Sequence, residues 1–184
     1  MKKIFLLLTI LTISISAICQ TEQTHMQFQG FDIDGSLVDY MHKLDSKGFK
    51  NVGIEKGVGI LNANLEGYRN CIVNAVSGNS NTNVYLVSVC YTYASSPADL
   101  EPGYQNIKKK LIENYGEVAE ENTGTFQEFV YPGYEKAWHD TTVPSDCKFI
   151  TPNGIIKLAI IKRNMCTLSI VYIDKVNQKK AMNN

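Results

Sequence analysis

Polar and apolar residues alternate over much of this chain, and twice the alternation gives way to a helical period. "HMQFQ" (25–29) has the period-2 mark of a half-buried strand, which Gly30 interrupts. "SLVDYMHKLDSKGF" follows as a helix: Leu37, Met41 and Leu44 recur at helical spacing beside Tyr40, and Gly48 supplies the stop. Ser36 stands at the N-cap, and Asp39 completes a capping box with Asp in the place of Glu. "ILNANLEG", "YRNCIVNAVS" and "NVYLVSVCYTY" then alternate as strands, separated by the turn-like "EGY" and "GNSNTN".

"SSPADLEP" leads into a second helix with the stripe Tyr104, Ile107, Leu111 and Tyr115, ending at Gly116. After the polar "EVAEENTGT" comes a second β-rich block: "FQEFVY", "EKAWHD", "CKFITPNGIIKLAIIKR" with its "TPNG" turn, and "CTLSIVYID". The tail "KVNQKKAMNN" is polar and reads as a frayed end. Runs of strands between isolated helices predict an α+β fold: two helix-plus-antiparallel-meander units sharing one sheet, with the helices on one face. Residues 20–184 form a single domain on this reading, with repeats expected at 25–95 and 96–174.

The first nineteen residues change the picture of where the chain works. "MKK" is a positive start and "IFLLLTILTISISAIC" an apolar run ending in small residues, the layout of a secretory signal peptide. Cleavage fits after Ala17 or after Cys19, and the expected location is periplasmic or extracellular. Acylation of Cys19 would give an outer-membrane lipoprotein instead, but Ile18 is not the small residue that signal wants. Without Lys2 and Lys3, the 18 basic residues fall to 16 against 18 acidic ones, a net charge of −2. That excludes an electrostatic footprint for nucleic acid or anionic lipid, and no later stretch reaches transmembrane length.

Four cysteines follow the signal: Cys71, Cys90, Cys147 and Cys166. In an exported protein an even number permits disulfides. A hairpin pairing Ser77 with Val84 sets Cys71 opposite Cys90 on one face, within cross-strand reach. The alternative is two buried free thiols. A simple meander puts a whole strand between Cys147 and Cys166.

"FDIDGSLVDY" (31–40) resembles the opening motif of haloacid-dehalogenase-type phosphatases. The resemblance implies Asp32 as nucleophile, Asp34 as acid and base, Ser36 as a small hydroxyl position, and magnesium beside them. Three features argue against it. The preceding "QFQGF" alternates where that family needs a continuous apolar strand, the late acidic pair is missing, and strands and helices do not alternate throughout. Asp34-Gly35 as a turn, Ser36 as a cap and Asp39 beside the helix dipole account for the same residues.

"FDIDGSLVDYMHKLDSKGFK" with "LNANLEGYRNC", and "SIVYIDK" near the end, resemble largely uncharacterised small exported proteins of Bacteroidetes-type bacteria. That resemblance implies location and fold rather than activity. In architecture alone the layout is similar to β-lactamase-inhibitor-like modules, an analogy that transfers no residues.

His25, His42 and His139 stand apart from one another and from any cysteine pair, so no metal site and no cofactor is expected. "GVG" at 57–59 lacks the strand–helix setting of a phosphate cradle. Aromatics carry the remaining signal. "FQEFVYPGYEKAWH" (126–139) holds Phe126, Phe129, Tyr131, Tyr134 and Trp138 around a Pro-Gly turn. Either these rings anchor a partner or they plug the end of the core. In "NVYLVSVCYTY", Tyr85, Tyr91 and Tyr93 share one face by parity, which either meets a partner or is covered. The expected function is therefore a non-catalytic exported binding module of the bacterial envelope, with a protein partner favoured over a glycan. An Asp32/Asp34 phosphatase and a purely structural envelope protein are the alternatives.

Overall fold

The computed structural model describes residues 24–78, 83–123, 144–162 and 165–182. The chain is α+β. Its first strands, β1 (Gln27–Phe28) and β2 (Phe31–Asp32), form a small hairpin, and α1 (Leu37–Asp45) follows. Strands β3 (Lys50–Glu55), β4 (Val58–Leu65), β5 (Tyr68–Ser77) and β6 (Val84–Ala94) run next. A 3-10 turn (Pro97–Leu100) leads into α2 (Glu101–Tyr115). Then come β7 (Glu120–Thr123), β8 (Pro144–Thr151), β9 (Gly154–Lys162), β10 (Cys166–Asp174) and α3 (Lys175–Met182).

Strands β3 to β10 make one eight-stranded sheet in the order β3-β4-β5-β6-β10-β9-β8-β7, every neighbouring pair antiparallel. Each run of four strands follows a helix, and the two runs meet where β6 pairs with β10. Alternation decides which side of each strand is covered. Leu61, Val73, Val89, Leu158 and Ile170 turn to one face and join Leu37, Tyr40, Met41 and Leu44 of α1 and Tyr104, Ile107 and Leu111 of α2 in a single core. Each fully buried side chain of this size contributes about 1.5–3 kcal/mol.

Local chemistry sets the helix ends much as the residues imply. The Ser36 hydroxyl oxygen accepts from the Asp39 N–H (3.2 Å), and the hydroxyl donates to the Asp39 carboxylate (2.6 Å). Gly116, at φ +84°, closes α2 in the left-handed region that glycine tolerates. Two elements escape the sequence pattern. β3 is an edge strand with almost no burial, so it carries no alternation to detect. The polar tail is the helix α3, which lies on the other face of the sheet, where Ala181 packs on a small cluster of Val76, Tyr85, Leu86, Val171 and Ile173.

The cysteine pairing is corrected. Ser77 does pair with Val84, but a register shift follows, so Val76 faces Leu86 and Ile72, not Cys71, faces Cys90. The extra residue, Tyr85, is a β-bulge, and one residue of slip moves side chains to opposite faces. Cys71 is buried in the main core and Cys90 is half-buried on the other face; both are free. Cys147 and Cys166, also buried and not bridged to each other, lie on β8 and β10 with β9 between them. A chain beginning at Gln20, unfolded without reductant, should show four titratable thiols; two or fewer would contradict this arrangement.

Candidate functional site

The β1–β2 hairpin is made by a two-residue turn, Gln29-Gly30, with φ of +54° and +81°. Positive φ at both central positions is the type I′ geometry that matches strand twist, and glycine supplies the second. Phe28 pins the hairpin to the sheet: its ring lies 6.0 Å edge-on from Phe49 and 5.4 Å from Tyr172. The hairpin therefore stands over the central strands, facing the end of α2.

Between them runs a groove. Its narrower part, about 250 Å³, is floored by Tyr91 of β6 and Ile170 and Tyr172 of β10. One wall is the hairpin, the other the outward turn of α2 around Leu111, Asn114 and Tyr115. A Lys110–Glu66 ion pair closes the rim. The wider part, about 760 Å³, is bounded by Thr24, His25, Asp32, Thr151 and Asn153. Gln27 and Tyr115 line both parts, so the two adjoin. Burial raises the pKa of the Tyr91 and Tyr172 hydroxyls, so both stay neutral donors at any physiological pH.

Behind the wider part lies a polar cluster that ties the two ends of the domain together. Asp174 is fully buried, and its Oδ2 accepts from the Met26 N–H (2.7 Å). Its Oδ1 accepts from the Asn177 N–H (2.7 Å), which makes Asp174 the N-cap of α3, and stands 3.2 Å from His25 Nδ1. His25 Nε2 is 3.8 Å from Asp34 Oδ2. Asn177, also buried, donates to the carbonyls of Ile33 (3.0 Å) and Val84 (3.1 Å) and to Asp34 (2.7 Å). With a carboxylate on each side, the His25 imidazole connects Asp34 to Asp174.

Asp34 feels this surrounding directly. Burial alone would raise its pKa, but the Asn177 amide, the Gly35 N–H and the charges of His25 and Lys180 together bring it below its ordinary 3.8. A depressed carboxylate adds stability that is present above its unfolded pKa and is lost as pH falls through the folded one. Asp34→Asn should therefore melt lower than the wild type near pH 6, with the gap narrowing from about pH 4 downward. A gap independent of pH would show that the Asp34 charge contributes nothing.

The structure scatters the residues that the sequence nominates. Asp32 takes a hydrogen bond from Gln27 Nε2 (2.9 Å) and borders the wider cleft, whereas Asp34 is held by Asn177 behind it. The parallel, doubly wound sheet of a dehalogenase-type enzyme is absent from the described residues, as is any group of three or more His, Cys, Asp or Glu arranged to hold a metal. Tyr85, Tyr91 and Tyr93 do not share a face. The bulge sends Tyr85 to the α3 side, Tyr91 enters the main core as part of the groove floor, and Tyr93 is half exposed. Phe129, Tyr131, Tyr134 and Trp138 lie outside the described residues.

Sequence reasoning missed His25, Asp174, Asn177 and the Gln27–Tyr115–Asn153 lining. One signal was available: Asp174 precedes a run of helix-compatible polar residues, the pattern of an N-cap. Nothing in the sequence links His25 to a partner 149 positions away. No protein-family model, no curated protein and no solved structure matches this chain.

Proposed function

We propose that the mature chain is an exported, non-catalytic binding module of the bacterial envelope, and that its ligand lies in the groove between α2 and the β1–β2 hairpin. The carrying observation is that groove: two adjoining concave parts, one with an aromatic floor and the other, about 760 Å³, of ligand-pocket size with polar walls. Export rests on the signal-like first nineteen residues and on the resemblance to small exported proteins of Bacteroidetes-type bacteria. The helix-then-four-strands order, repeated across the sheet, supports the architectural likeness to β-lactamase-inhibitor-like modules and an origin by duplication. No helix among the described residues is long and apolar enough to cross a membrane.

Catalysis finds little support at this site. Asp32 and Asp34 serve different neighbours, and His25, the histidine nearby among the described residues, is engaged by carboxylates. Two assays on the chain from Gln20 separate the readings. A fragment library screened by thermal shift should give hits that stabilise the wild type and lose their effect in Tyr115→Ala; hits indifferent to that change would place the ligand elsewhere. Turnover of p-nitrophenyl phosphate with magnesium should be no greater in the wild type than in Asp32→Asn, and a rate abolished by Asp32→Asn would replace binding with phosphoryl transfer.

A further inference from the structure

We infer that the groove takes a neutral oligosaccharide, an assignment that rests on the groove being the binding site proposed above. Three features of the lining carry it. Tyr115 is 40% exposed at the junction of the two parts, with Tyr91 and Tyr172 below it. An exposed tyrosine ring offers a flat apolar platform with a polar tip, which suits the C–H face of a sugar ring. The walls supply side-chain amides and hydroxyls, among them Gln27, Gln29, Asn114 and Thr151. Amides and hydroxyls both donate and accept, as sugar hydroxyls do.

Charge narrows the class. Lys110, the lysine in the lining, is paired with Glu66, and His25 sits between Asp174 and Asp34. Asp32 and Glu113 add negative charge. Among the described lining residues, an anionic ligand would meet carboxylates with no unpaired cation to offset them, so uronic acids and phosphates are disfavoured. An extended peptide would want an unpaired strand edge for its backbone. The floor strands β6 and β10 are each paired on both sides, so the floor offers no edge for that mode.

Calorimetry of the chain from Gln20 against cellotetraose, xylotetraose, maltotetraose and tetra-N-acetylchitotetraose, with tetragalacturonate as the anionic comparator, tests this. At least one neutral sugar should bind, at least tenfold more weakly to Tyr115→Ala and nearly unchanged to Val52→Ser on the exposed β3 edge. Tetragalacturonate should not bind. Failure of every neutral sugar at millimolar concentration, or preference for tetragalacturonate, overturns the sugar assignment. If fragments still fill the groove in that case, the binding proposal stands without it. A sugar bound equally well by Tyr115→Ala overturns both.

Discussion

Asp174→Ala should cost about 3–5 kcal/mol of folding stability, the loss expected when one partner of a buried charged cluster is removed. In a domain of this size that lowers the melting temperature by roughly 6–20 °C. Three interactions meet at this carboxylate. The Met26 N–H holds the chain leading into the β1–β2 hairpin, the Asn177 N–H starts α3, His25 lies alongside, and behind Asn177 stand the carbonyls of Ile33 and Val84. Alanine leaves the two N–H donors without an acceptor in a dry site, and an orphaned buried donor costs more than the bond it once made. His25→Ala removes one of the contacts and should cost clearly less. Urea unfolding of the three proteins orders them; equal stability of wild type and Asp174→Ala would show that the cluster is incidental to the fold.

Gly154→Ala should be nearly as damaging, by about 3 kcal/mol, the upper end of what overpacking a well-filled interior costs. A Cβ at this position would sit 2.0 Å from the Ile173 carbonyl oxygen and 3.1 Å from its carbon. Those are backbone atoms of the neighbouring strand, so no side-chain rotation relieves the overlap. Gly154 pairs with Asp174, and the same Cβ would meet Met26 at 3.2 Å. Opening β9 from β10 there pulls on the residue that caps α3 and holds Met26. The two substitutions share this neighbourhood, so their costs should fall short of additive in the double variant. Chemical denaturation of the single and double variants measures both quantities.

The parts of the fold that bury one face were legible in the residues. β4, β5, β6, β9 and β10 show as alternation, and α1 shows through Ser36 and its Leu37–Met41–Leu44 stripe, because burial on one side leaves a period. β3 left none, since both its faces are wet. α3 left none because its anchor is polar: Asp174 caps it and Asn177 is the residue it buries. The misplaced Cys71–Cys90 pairing and the supposed face shared by Tyr85 and Tyr91 have one cause. Parity assumes an uninterrupted ladder, and the bulge at Tyr85 shifts everything after it in β6 by one.

The groove was illegible for a different reason. Gln27, Tyr115 and Asn153 come from a hairpin, a helix end and a β-turn far apart in the chain. None carries a local mark, and only the antiparallel return of β9 and β10 brings Asn153 back to the first residues described. There the Asn153 side chain accepts from Thr24 (2.7 Å) and its backbone carbonyl accepts from the Lys175 N–H (3.0 Å). Among the described residues, Tyr91 is the one nominated tyrosine that reaches this site, and it does so from beneath, as floor.

That the groove along α2 is where this protein binds its ligand is tested most directly by an amide chemical-shift titration of the ¹⁵N-labelled chain from Gln20 with its tightest-binding fragment or sugar. Shifts concentrated at Gln27, Phe28 and Gln29, at Lys110 to Tyr115, and at Thr151 and Asn153 are the expected result. Saturable shifts that leave those amides still and gather on another surface, such as the β3 edge around Val52 and Ile54, would contradict it.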